Sequence, residues 1–157
     1  MCRDQGEWWQ RWAHLTGNPE CLERAIRCYN KAIETATEGS SARAVATMER
    51  EIVKRQRGKK INWGVFSSAY IKVVELSPKA GGWDRKAAFS WWYTREAILA
   101  GRLEEIKQGL NNLREACQKG KTPWIKYPLK EIIQLLLFKA QRSTYTGYKD
   151  PYLAARA

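Results

Sequence analysis

Apolar residues recur along this chain at steps of three and four, the spacing of one face of an α-helix. The tightest case is Leu103, Ile106, Leu110, Leu113 and Cys117, which predicts a narrow helical stripe ended by Gly120. Leu22, Ala25, Ile26, Tyr29, Ile33 and Ala36 predict a second helix, with Asn18 as its cap and Pro19 as its first residue. Trp8, Trp9 and Trp12 fall on one side of a shorter helix over residues 5–15. Val45, Met48 and Ile52 give the apolar face of another over residues 41–60, capped by Ser40 or Ser41. Trp63, Phe66, Tyr70 and Val73 sit at core spacing over residues 62–76, with Asn62 as the expected cap. Ile71, Val73 and Val74 are β-branched and suit a strand, but nothing else in the chain would pair with one, so a helix is expected. Asp84 is expected to cap a helix over residues 85–100 that carries Phe89, Trp91, Trp92, Tyr93, Ile98 and Leu99. A last long helix over residues 129–142 is predicted by Leu129, Ile132, Ile133, Leu136, Leu137 and Ala140.

These patterns predict an all-α protein, a helical bundle of about six or seven helices with an amphipathic basic helix and an extended C-terminal tail. Ser77-Pro78-Lys79-Ala80-Gly81-Gly82 reads as a linker. The expected organisation is therefore a set of N-terminal helices in residues 1–80, a C-terminal helical bundle in residues 83–143, and a tail over residues 144–157. Blocks around Trp8-Trp9 and Trp91-Trp92 share a following Arg, Ala, Leu and Gly, which hints at two similar helical hairpins.

Charge changes the picture. Among 157 residues there are 28 Lys and Arg against 16 Asp and Glu, a formal net charge of +12. Before Gly82 stand 14 basic and 9 acidic residues and after it 14 and 7, so the halves carry +5 and +7 and the excess is no detachable tail. A folded chain this basic implies a polyanionic partner, nucleic acid first and an anionic membrane surface second. The charge is most ordered in residues 41–60. Arg43, Arg50, Lys54 and Arg57 follow at steps of seven, four and three, one stripe of a helix, and Lys59 and Lys60 extend it. Those six are the candidate phosphate-neutralising residues, although Glu49 and Glu51 lie beside the stripe and a solvated basic face reads the same way. A membrane role ranks last, because Val45, Met48 and Ile52 are a small apolar face for that purpose. The longest apolar run, residues 132–138, is broken by Gln134 and too short to span a bilayer, and the N-terminus lacks a signal-peptide core. A protein made and kept inside a cell or packaged there, not secreted, is expected.

Eight tryptophans are many for this length. Adjacent helical positions point about 100° apart, so one member of each Trp pair is a candidate for exposure. Trp8, Trp91, Tyr145, Tyr148 and Tyr152 are the candidate subunit-interface residues, equally readable as parts of wide buried faces. Catalysis has little to work with: one histidine, His14, reads as structural, and no nucleophile elbow or phosphate-binding glycine loop is present. No enzyme, cofactor, small-molecule substrate or metal site is expected. Cys2, Cys21, Cys28 and Cys117 form no CxxC pair; Cys21 and Cys28 are too far apart on one helix to bond each other, while Cys2 and Cys117 remain open as partners.

Two resemblances follow from particular residues. Trp9, Ala25, Tyr29 and Ala32 resemble a tetratricopeptide repeat, and Gly101-Arg102-Leu103-Glu104-Glu105 before Ile106 and Leu110 is similar to the middle of another. That resemblance implies a scaffold of helical hairpins serving as an adaptor for a protein partner. The other is architectural: a small, basic, all-helical chain with a cationic amphipathic helix and an aromatic tail resembles the coat proteins of filamentous archaeal viruses. It implies a self-assembling capsid protein, with copies of itself or a paralogous subunit, whose helices wrap double-stranded DNA without reading its sequence.

Overall fold

The computed structural model describes residues 2–77 and 82–120, together with residues 130, 134, 135 and 138. The protein is all-α. Its helices are α1 (Cys2–Thr16), α2 (Pro19–Thr35), α3 (Ser41–Gln56), α4 (Trp63–Leu76), α5 (Gly82–Ala100) and α6 (Leu103–Lys119), and no strand occurs among the described residues. Lys130, Gln134, Leu135 and Phe138 are also helical, whereas the extended tail expected over residues 144–157 lies outside the described residues.

Local chemistry sets most of the ends. Asn18 Oδ1 accepts from the Glu20 N–H at 3.0 Å, with Pro19 behind it at the first helical position. Ser40 Oγ accepts from the Arg43 N–H at 3.2 Å, and Asn62 Oδ1 from the Val65 N–H at 3.3 Å. Asp84 departs from expectation: α5 starts two residues earlier, and Asp84 sits in its first turn, where a negative charge suits the positive end of the helix. The stretch around Ile71, Val73 and Val74 is helical, as Phe66, Tyr70 and Val73 are all fully buried at helical spacing. β-propensity yields to burial where no partner strand exists.

The chain divides into two compact units, Met1–Glu75 and Leu76–Ala157. The division falls after Glu75; of the linker expected at residues 77–82, residues 78–81 lie outside the described residues.

In the first unit α2 packs against both α1 and α3. Ala25, Ile26, Tyr29 and Val53 form a buried cluster, with Trp9 and Leu22 packed on it. Tyr29 reaches across to α1 at Gly6, where a Cβ would stand 2.9 Å from the ring. Polar bonds lace the three helices together: Tyr29 Oη donates to Gln10 Oε1 at 3.1 Å, Gln10 donates to Gln56 at 3.0 Å, and Arg3 Nη2 donates to Glu49 at 2.8 Å. Burial, with negative Glu49 and Glu7 nearby, pushes the Tyr29 hydroxyl far above its ordinary value, so it remains a donor.

In the second unit α5 and α6 form a hairpin. Gly101, at φ +71°, makes the sharp turn. Gly109 brings α6 so close to Thr94 that a Cβ there would collide with the hydroxyl. Phe89, Tyr93, Ala97 and Ile98 are buried on α5, and Ile106 and Leu113 on α6. Leu103, the first residue of the predicted α6 stripe, is exposed instead, at the helix start.

Candidate nucleic-acid interface

The basic helix α3 is more enclosed than its sequence suggests. Val45, Met48 and Ile52 are buried, but so are Ala44, Ala46, Val53 and two carboxylates, Glu49 and Glu51. A buried carboxylate costs free energy unless it is paired and hydrogen-bonded, and here the nearby cations supply the pairing. Glu51 is fully buried and takes Lys54 Nζ at 3.1 Å, Arg50 Nε at 3.4 Å and the Asn62 N–H at 2.9 Å. Glu49 is held by Arg3 of α1.

This corrects the picture of a free cationic stripe. Arg50 also donates to Asn30 of α2 at 3.2 Å, and Arg57 pairs with Glu23 of α2 at 3.1 Å. Seven residues separate Arg50 from Arg57 and seven separate Glu23 from Asn30, so two antiparallel helices meet in register along the stripe. Lys59, beyond the end of α3, approaches the same Glu23 at 3.9 Å. By the same register Arg43 would face a position beyond Thr35, where α2 has ended. Its side chain makes no ion pair among the described residues, and neither does that of Lys60, which is exposed. Four of the six candidate residues, Arg50, Lys54, Arg57 and Lys59, are thus tied to carboxylates of the same unit, and two, Arg43 and Lys60, are not. The seven-residue spacing of Glu23 and Asn30 matches that of Arg50 and Arg57 in the sequence, but only the packing of α2 on α3 brings the two pairs together.

The aromatic candidates separate. Trp8 is 53% exposed, and its ring stacks on Trp12 with centroids 5.5 Å apart and planes 5° from parallel. Trp12 and Leu15, at 45% and 76% exposure, continue an outward stripe at steps of four and three, and Arg11 is exposed beside them. Neither Trp12 nor Leu15 was among the candidate interface residues, although that spacing marks them. Trp9 turns inward, beneath the Arg24 guanidinium at 4.6 Å. Trp91 is not an exposed counterpart of Trp8: it is half-buried under the Arg95 guanidinium at 4.7 Å. Tyr145, Tyr148 and Tyr152 lie outside the described residues. His14, read as structural, is exposed in the last turn of α1.

In the second unit two lysines share a carboxylate and an aromatic ring. Lys86, almost fully buried, pairs with Glu115 at 2.8 Å, and Lys119 reaches Glu115 at 3.0 Å. Both ammonium groups lie over the Trp83 ring, at 5.3 and 5.1 Å. Hydrogen bonds from Lys86 and Lys119 hold Glu115 below the usual carboxylate range.

Cys2, Cys21, Cys28 and Cys117 are free thiols, and burial, then Cys2, push the Cys28 thiol up. Among the described residues no group of three His, Cys, Asp or Glu is placed to hold a metal ion, and no helix is long and apolar enough to cross a membrane. No family model, curated protein or solved structure matches the chain.

Proposed function

We propose that the chain is a structural nucleic-acid-binding protein that self-assembles along its ligand, most concretely a major coat protein wrapping double-stranded DNA in a helical filamentous virion. The observation that carries this reading is the residual charge around α3. Arg50 and Lys54 share one carboxylate, Glu51, and Arg57 and Lys59 share another, Glu23, while Arg43 and Lys60 are paired with none among the described residues. With Arg55, residues 41–60 carry seven cations against two carboxylates, Glu49 and Glu51, an excess of five positive charges on one short segment. A carboxylate shared by two cations offsets only one of their charges and leaves the pair net positive. Such an array neutralises phosphates and releases their counterions, which supplies affinity without reading sequence. The outward stripe of Trp8, Trp12 and Leu15 supplies a surface for a neighbouring subunit, since exposed tryptophans are strong interface anchors. On this reading the protein resides in the virion or the host cytoplasm.

The test is binding to a random-sequence duplex across a salt series, with the same samples viewed by electron microscopy. A steep loss of affinity with salt together with regular filaments is expected. A steep slope without filaments removes the coat role and leaves a monomeric nucleic-acid binder. Absence of binding at low salt removes the nucleic-acid reading altogether. A second reading, a helical-hairpin adaptor for a protein partner, is favoured by one feature: the α1–α2 hairpin closed by Tyr29 over Gly6, with its Trp8–Trp12 stripe left outside. It gains if the duplex is not bound.

A further inference from the structure

Between the first half of α3 and α4 runs a groove of about 470 Å³, within the size range of small-ligand sites. Arg43 and Thr47 stand on one wall, and Gly64, Ser68 and Lys72 on the other. No carboxylate lines it. Arg43 and Lys72 make no ion pair among the described residues, which sets them apart from Arg50, Lys54, Arg57 and Lys59. The hydroxyl of Thr47 is committed to the Arg43 carbonyl at 2.8 Å. Ser40 Oγ only accepts, from the Arg43 N–H, so its own proton is left to donate. Ser68 is exposed on the α4 wall. Gly64, Ala44 and Ala69 add little side-chain bulk to its walls and leave it open.

We propose that this α3–α4 groove seats the phosphodiester backbone of duplex DNA, with Arg43 and Lys72 as the paired phosphate contacts and the Ser40 and Ser68 hydroxyls as additional donors. The inference rests on the nucleic-acid reading and adds to it a site and a residue, Lys72, outside the α3 stripe. Cations already satisfied by a buried carboxylate must loosen that pair to engage a phosphate. Arg43 and Lys72 have no such pair to loosen among the described residues, and both line the groove.

The experiment compares wild-type protein with Arg43→Gln/Lys72→Gln and with Arg27→Gln/Lys31→Gln, a pair of exposed α2 cations outside the groove. Both variants change the net charge equally. Each is titrated with a random 30-base-pair duplex from low to high salt after its melting temperature has been matched to wild type. Loss of two phosphate contacts lowers the slope of log affinity against log salt by about 1.8, and the groove variant is expected to show that loss while the α2 variant shows less than half of it. Equal losses would mean that the general field, not the groove, binds the duplex, and would overturn the proposal. Ser68→Phe fills the groove from an exposed position without touching a charge and is expected to weaken binding about tenfold, or 1.4 kcal/mol; unchanged affinity counts against the groove even if the double variant fails to fold. Inorganic pyrophosphate, followed by amide NMR of the wild type, separates the two levels of failure. Shifts at Ser40, Arg43, Ser68 and Lys72 without duplex binding would sink the nucleic-acid reading, and this proposal with it, while leaving an anion site. Wild-type slope in the double variant together with wild-type affinity in Ser68→Phe would sink the groove alone.

Discussion

Glu49 and Glu51 show at the scale of single residues how this chain handles charge. They are two positions apart on α3, both buried, and they look to different partners: Glu49 to Arg3, Glu51 to Arg50, Lys54 and the Asn62 N–H. Burial raises the Glu49 carboxyl above its ordinary value near 4.5, and Arg3 only partly offsets it. The folded state therefore holds the Glu49 proton more tightly than the unfolded state does. Its contribution to stability is complete below pH 4.5 and is lost as pH rises through the raised folded value. Glu49→Gln, which cannot ionise, should remove that falling arm, seen as a flatter dependence of urea-unfolding stability on pH above 4.5. An unchanged profile would mean that Arg3 keeps Glu49 ionised throughout. Glu115, lowered by Lys86 and Lys119, acts with the opposite sign: its contribution is present above its ordinary value and fades as pH falls.

At the scale of elements, hairpins are closed by glycines that admit a neighbour. Gly6 lies under the Tyr29 ring, and Gly109 under Thr94. In an open helix Gly→Ala gains up to about 1 kcal/mol in propensity. At Gly6 the new methyl would meet a fully buried ring, tethered by its hydroxyl to Gln10, at 2.9 Å. Overpacking of that kind costs about 1–3 kcal/mol, so the clash outweighs the propensity gain. Gly6→Ala should lower stability by about 1–2 kcal/mol in urea unfolding; a gain in stability would show that Tyr29 can move aside. The helices themselves were legible, because periodicity and caps are local: Asn18, Pro19, Ser40 and Asn62 all act where the sequence places them. The start of α5 was not, because Asp84 is equally favourable as a cap or in the first turn.

At the scale of the whole molecule, a net charge of +12 makes copies repel until a polyanion neutralises them. On the proposed coat role, assembly then needs an apolar contact, and the α1 stripe of Trp8, Trp12 and Leu15 is the surface proposed for it. Trp8→Ser/Trp12→Ser removes exposed rings whose main described contacts are with each other and with Trp9. Its stability should stay within about 1 kcal/mol of wild type, while filaments on duplex DNA, viewed by electron microscopy, should shorten or vanish. Filaments of normal length would place the subunit contact elsewhere.

By itself the sequence determined the all-α class, the caps of α2, α3 and α4, the apolar faces of those three helices and the excess of positive charge. All of these follow from spacing within one helix or from composition, and neither depends on what lies across the fold. Which cations are engaged was decided only by the tertiary structure. Arg50 and Arg57 meet Asn30 and Glu23 because α2 and α3 run antiparallel in register, and Arg43 is left over because α2 ends at Thr35. Trp8 and Trp91 look alike in sequence, each the first of a Trp pair, yet one is stacked in the open and the other lies half-buried beneath Arg95. A charge stripe is a property of one helix, whereas pairing and exposure are properties of its neighbours.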